Sequence, residues 1–340
     1  VRTAATLVTG AGGEIGHGLV TRLAESGRAV ISIDLAPLDP ALAGLVAREF
    51  TGSILDGGLL ERVLAQFDVD LVFHLAALLS TRSEFTPRSA HDVNVDGTLN
   101  LLEFAQREGE SHGRPVTFVY PSSIAVYGLP DVETKLREGR VREDAWNEPR
   151  TMYGCNKLYC EHLGRYYSRH YKQLAADAVP RVDFRAIRFP GLISAETLPS
   201  GGTSDYASEM LHAAARGAPY GCFVRPDTRI PLMAMPDAID ALVRLSSASR
   251  ERLTRPAYNA AAFAPAAGEI RQVVAEAFPD ASIAWAIDAK RQRIVDSWPV
   301  DVNDGPARAD WGFSPAFDFE RAFGEYLIPR IRRRYARRPR

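Results

Sequence analysis

The run Thr9-Gly-Ala-Gly-Gly-Glu-Ile-Gly16 constrains this chain most. It follows a short apolar run and opens a helical pattern through Leu19, Val20 and Leu23. Gly10, Gly13 and Gly16 are spaced Gly-x-x-Gly-x-x-Gly. Without β-carbons the backbone turns sharply there, and a pyrophosphate can reach the N–H groups at the helix start. Asp34 closes the next β-rich run, where a carboxylate hydrogen-bonds ribose hydroxyls and repels a 2′-phosphate. Leu35 brings no positive charge, so the pattern favours NAD over NADP. A tight turn without a ligand is the competing account.

The β-rich runs 6–9, 29–34, 71–75, 116–120 and 182–188 alternate with stretches of helical spacing. That alternation implies an α/β, Rossmann-like, doubly wound parallel sheet with helices on both faces. Beyond Gly191 it weakens into a Gly/Ser loop, a helix from about Ser204, and helices near 236–249 and 268–278. The expected organisation is an NAD-binding domain over 1–191, with 229–262 returning to it, and a smaller α/β substrate-binding domain over 192–328. The basic end 329–340, with seven arginines from Arg330 onward, reads as a solvated, disordered tail rather than a nucleic-acid patch.

Composition excludes little. Of 340 residues, 46% are hydrophobic and 24% charged, which is ordinary for a globular protein in water. The apolar run 71–79, interrupted by His74, is too short to span a bilayer. Cys155, Cys160 and Cys222 show neither pairing nor metal-ligand spacing, so a reducing cytoplasm and no structural metal are expected. His74, His91, His162 and His212 lack the spacing for a triad or a metal and read as structural.

The chemistry centres on Tyr153 and Lys157, which share one helix face at i and i+4. Free phenol has a pKa near ~10, so a tyrosine base at neutral pH needs a depression of about 3 units, or roughly 4 kcal/mol. A neighbouring ammonium supplies it by favouring the phenolate. Ser122 and Ser123 follow a β-rich run about thirty residues earlier, on the neighbouring element. Leu75, Ala76 and Ala77 are small enough for close approach of a cofactor. Asn94 bonds backbone near the site or serves its own helix. Gly201-Gly202 and Thr203-Ser204-Asp205 open a helix whose start can take an anion while Asp205 takes an ammonium; plain N-capping explains them equally well. Ser80 can bond either substrate group. Trp298 reads as a lid or as a core anchor.

Taken together, the glycine turn, Asp34, Ser122-Ser123 and Tyr153-x-x-x-Lys157 resemble the extended short-chain dehydrogenases/reductases along nearly the whole chain. The resemblance implies Tyr153 as general base, Lys157 holding the nicotinamide ribose and lowering the tyrosine pKa, and Ser123, beside Ser122, holding the reacting oxygen. It also implies NAD contacts from Gly10, Gly13, Glu14, Ile15, Gly16, Asp34, Leu75, Ala76, Ala77, Asn94, Tyr153, Lys157, Pro190 and Leu192. One departure is Ser53-Ile-Leu-Asp56, where the family has Asp-x-x-Asp near the adenine.

Arg188-Phe-Pro-Gly-Leu-Ile-Ser194, Gly201-Gly-Thr-Ser-Asp-Tyr206, Arg225-Pro-Asp-Thr-Arg229 and Asp296-Ser-Trp-Pro299 are similar to the short-chain L-threonine 3-dehydrogenases. That similarity implies a small amino-acid substrate held by Ser80, Ser123, Tyr153, Gly191, Thr203, Asp205 and Trp298. It also implies a homodimer through the helices at 87–108 and 152–171, with no membrane or nucleic-acid partner. The segment 128–149 is longer and more charged than in those enzymes. The alternatives are a nucleotide-sugar epimerase using Arg225 and Arg229, an erythronate-like sugar-acid dehydrogenase, and a non-catalytic NAD sensor. The last would usually lack the tyrosine–lysine pair.

Overall fold

The computed structural model describes residues 2–199 and 201–336. Seven strands form one parallel sheet: β1 Thr3–Thr9, β2 Val30–Asp34, β3 Arg48–Thr51, β4 Phe67–His74, β5 Val116–Ser123, β6 Val182–Phe189 and β7 Ala257–Asn259. Their order is β7-β6-β5-β4-β1-β2-β3. A parallel strand covered on both faces needs apolar residues at successive positions, not alternate ones. β6 follows this rule and is buried at every position. Its charged residues are internally paired, Arg185 with Asp183 and Arg188 with Glu161.

The principal helices are α1 Glu14–Glu25, α2 Gly57–Gln66, α3 Gly97–His112, α4 Met152–Arg169, α5 Tyr206–Ala215, α6 Met235–Ser247, α7 Ala267–Ala277 and α8 Ala289–Asp296. α1 and α6 cover one face of the sheet through Leu19, Leu23, Ala238 and Leu242. α3 and α4 cover the other through Leu101, Phe104, Cys160 and Tyr167. The chain leaves the sheet after β6 and comes back through α6 and β7. Strand order reverses beside β1, so a crevice opens between the carboxyl ends of β1 and β4.

The remaining chain packs around Tyr206, Met210, Phe223, Ile270, Val295 and Phe323. It is held by short parallel pairs: Gly191–Ile193 with Leu232–Ala234, Tyr220–Cys222 with Ile283–Trp285, and Arg140–Val141 with Asp301–Val302. Two expectations are corrected here. The helix expected from about Ser204 begins at Tyr206, because the Asp205 carboxylate turns back to accept the Gly202 N–H at 2.6 Å. The basic end, expected to be disordered, is helical over Ile328–Ala336. Ile328 and Ile331 give it one buried edge, and Arg330 pairs with Glu196. Residues 337–340 lie outside the described residues. Among the described residues, no helix is long and apolar enough to cross a membrane.

Candidate active site

A cavity of about 700 Å³ occupies the crevice. At its floor, Gly10 has φ +68°, and a β-carbon there would lie 2.7 Å from the Ala76 nitrogen. Gly16 is equally confined, with a β-carbon 2.7 Å from the Ala11 carbonyl carbon. Strand end, turn and helix start are therefore pressed together. Gly13 caps α1 without a side chain, and the first-turn amides of a helix have no intrahelical acceptor. That combination is an anion cradle. Beside it, the Asp34 carboxylate accepts from the N–H groups of Gly12 at 2.9 Å and Leu35 at 2.7 Å. Its oxygens retain lone pairs for ribose hydroxyls. Asp56 instead caps α2, accepting from the N–H groups of Gly58 and Leu59, while Ser53 and Ile54 line the cavity.

At the other end, α4 presses its first turn onto the backbone after β5. Thr151 caps the helix by accepting the Gly154 N–H at 3.0 Å, and a β-carbon on Gly154 would lie 2.9 Å from the Ala125 carbonyl carbon. This close approach brings Tyr153, Lys157 and Ser123 to the same wall. Ser123 Oγ accepts the Ala125 N–H at 3.1 Å, which leaves its own proton to donate. Lys157 Nζ donates to the Pro121 carbonyl at 2.6 Å and lies 5.4 Å from the centre of the Tyr153 ring. Burial lowers the Lys157 ammonium to about 8. Burial also pushes the Tyr153 phenol above its ordinary value. Loss of solvation disfavours the phenolate, while the Lys157 ammonium stands close to the ring.

His74 lies beneath this wall, with Nδ1 2.9 Å from Thr9 Oγ1 and Nε2 2.9 Å from Thr98 Oγ1. Burial, seconded by Lys157, lowers it to about 3, so the ring is neutral. Asp68, Glu108 and His112 cluster elsewhere, but Glu108 is committed to Arg2 and to the Val69 N–H.

The NAD dependent epimerase/dehydratase family matches residues 6–261, which is most of the chain and includes all seven strands except the first residues of β1. The chain belongs to that family. As a member of the NAD dependent epimerase/dehydratase family it shares 31% identity over 313 residues with the mitochondrial L-threonine 3-dehydrogenase of Bos taurus, covering 92% of this chain and 79% of the relative. A monomeric L-threonine 3-dehydrogenase of metagenome origin superposes with a TM-score of 0.85 at 34% identity, over 97% of this chain and 99% of that one. MoeE5 in complex with UDP-glucose and NAD superposes at 0.75 with 25% identity, over 97% and 99%.

Most of the family positions singled out from sequence line the cavity: Gly10, Gly13, Glu14, Ile15, Gly16, Asp34, Leu75, Ala76, Ala77, Ser80, Ser122, Ser123, Tyr153, Lys157, Pro190, Gly191, Leu192, Asp205 and Trp298. Asn94 is not on the wall. Its amide accepts from the Leu78 N–H and donates to the Leu78 carbonyl, fixing the loop that carries Leu75–Ser80. Thr203 is also turned away, its N–H and hydroxyl both donating to Ser80 Oγ at 3.1 and 3.2 Å. Ser122 reaches the wall, but its hydroxyl donates to Glu161 at 2.5 Å inside the core. Trp298 is 3% exposed and packed in the core of the second unit while lining the cavity, so it is a fixed wall. Pro37, Leu38, Asp39, Gly202, Ser204 and Met235 line it too. Only their place just beyond strand ends or glycines marks them in the sequence.

Proposed function

We propose that the chain oxidises the β-hydroxyl of L-threonine to 2-amino-3-ketobutyrate with NAD. The cavity fits a dinucleotide: a glycine cradle at the α1 start, Asp34 for the adenosine ribose, and the remaining donor protons of Lys157 for the other ribose. The observation that carries the amino-acid reading is the charge inventory. Away from the α1 and β2 end, the fixed charges lining the cavity are Lys157 and Asp205, and no arginine lines it among the described residues. A sugar diphosphate needs cationic partners. Arg225 is engaged by Asp296 at 2.9 and 3.0 Å, and Arg229 by Glu269 at 2.8 Å. A sugar acid brings a carboxylate but no ammonium to set against Asp205. A zwitterion suits both signs, its ammonium at Asp205 and its carboxylate at the hydroxyls and amides of the wall.

Tyr153 takes the hydroxyl proton, and Ser123 donates a hydrogen bond to the oxygen that is losing it. NAD, when bound, supplies the hydride acceptor and a positive ring that offsets the burial of the phenol. Lys157 and Trp298 orient the reactants, which supplies rate by proximity. The net change is one proton to Tyr153 and one hydride to the cofactor. The threonine dehydrogenase relatives support this reading. NAD reduction with L-threonine, D-erythronate and UDP-glucose in parallel tests it. Turnover with threonine alone is expected, and Tyr153→Phe should lower it roughly 10²- to 10⁴-fold with NAD binding retained. Turnover with erythronate or UDP-glucose instead would overturn the substrate. We place the enzyme in a reducing cytoplasm, since its three cysteines are free.

A further inference from the structure

The charged segment 129–148 has the composition of a solvated excursion, yet it grips the Trp298 wall from both sides. Leu129 N–H donates to the Ser297 carbonyl at 2.8 Å. The short helix Val132–Glu138, capped by Asp131 accepting the Thr134 N–H at 2.7 Å, turns Lys135 inward to 4% exposure. The Lys135 ammonium donates at 3.0 Å to the Val295 carbonyl, at the C-terminal end of α8. The same carbonyl accepts the Trp298 N–H at 3.2 Å. Beyond Trp298, Arg140–Val141 pairs with Asp301–Val302, and the Asn303 N–H donates to the Val141 carbonyl at 2.8 Å. On its other side the segment is tied to the sheet, where Arg188 donates to the Glu143 carbonyl and to Asn147, each at 2.9 Å.

A buried ammonium is costly unless opposed. Here it meets the negative end of α8, where unpaired carbonyls concentrate. Burial lowers it to about 8, with Asp296 acting the other way, so it is charged at neutral pH. An exposed lysine on a solvated loop would need none of this.

We propose that residues 129–148 are a strap that sets the position of Trp298, with Lys135 as its positioning residue acting through the Val295 carbonyl. Substrate affinity then depends on a side chain that does not line the cavity. The inference concerns the wall and holds whichever substrate the site takes.

Lys135→Met keeps length and volume while removing the charge. By hydrogen exchange, the Trp298 amide should exchange roughly tenfold faster, the scale on which a hydrogen bond to a charged group counts. Amides in β1 and α1 should stay unchanged, and Lys135→Arg should restore protection. With whichever substrate the wild type turns over, KM should rise by a similar factor and kcat stay within roughly twofold, a split that general destabilisation does not produce. Combined with Trp298→Phe, the two losses should not add, because they act through one contact. Unchanged exchange at Trp298 in folded Lys135→Met overturns the proposal, as do losses that simply add. Should that variant fail to fold, Asp131→Ala, at the exposed cap of the strap helix, should also speed exchange at Trp298. Unchanged exchange there overturns the proposal equally. Exchange at Trp298 decides the matter even if no assayed substrate is turned over.

Discussion

His74 shows what a single buried side chain contributes to this site. Held between Thr9 and Thr98, it stays neutral because protonation would place a charge in the core near Lys157. Its folded value, about 3, lies below the ordinary value of 6.5. Between those limits the unfolded chain binds the extra proton, so stability is complete above about pH 6.5 and falls as pH drops through the window. The slope is about 1.4 kcal/mol per unit, or about 2 kcal/mol by pH 5. His74→Gln can bond both threonines without titrating. Urea unfolding at pH 7.5 and pH 5 should show a correspondingly smaller loss in that variant than in the wild type; an equal loss would refute the role. At this scale legibility depended on distance along the chain. Tyr153 and Lys157 were readable because four residues on a helix fix their relation. The bonding of Thr203 to Ser80 was not, because it joins residues 123 apart, and no local pattern encodes it. Lys135 was hidden for a different reason: lysine ordinarily marks surface, and only tertiary packing buries it.

Among elements, the turn from β1 into α1 is the most demanding. A β-carbon on Gly16 would enter the carbonyl groups of Gly10 and Ala11, which are backbone and cannot move aside. Gly18, two residues along, would meet only the end of the Ile239 side chain on α6. Gly16→Ala should therefore weaken NAD binding by at least roughly tenfold, about 1.4 kcal/mol, while Gly18→Ala leaves it near the wild-type value. Calorimetric titration distinguishes the two, and equal affinities would contradict the close-packing account. The strands of the large sheet were legible because strands buried on both faces carry unbroken apolar runs. The start of α5 falls two residues past Ser204 because Asp205 bonds Gly202 and delays the helix to Tyr206. The terminal helix is hard to read in the sequence because Ile328 and Ile331 sit among arginines, a charge pattern typical of a frayed end.

For the whole molecule, assembly is the open physical variable. The outer face of α4 exposes Cys155, Tyr159, His162 and Tyr166 along one stripe, on the helix that carries Tyr153. We propose that this stripe meets its copy in a homodimer, although the similar metagenome enzyme is described as monomeric. Light scattering should give twice the chain mass of 37.3 kDa, and a value near one chain would remove the dimer. Arg188 and Glu161 join β6 to α4 in the core, while Arg188 also reaches the strap, so one ion pair links the sheet, the helix of Tyr153 and the strap. The balance of Lys157 against Asp205 has a further consequence. A guest without net charge gains no long-range pull toward the cleft, so ionic strength should scarcely alter its capture, and diffusion alone should bring it to the wall.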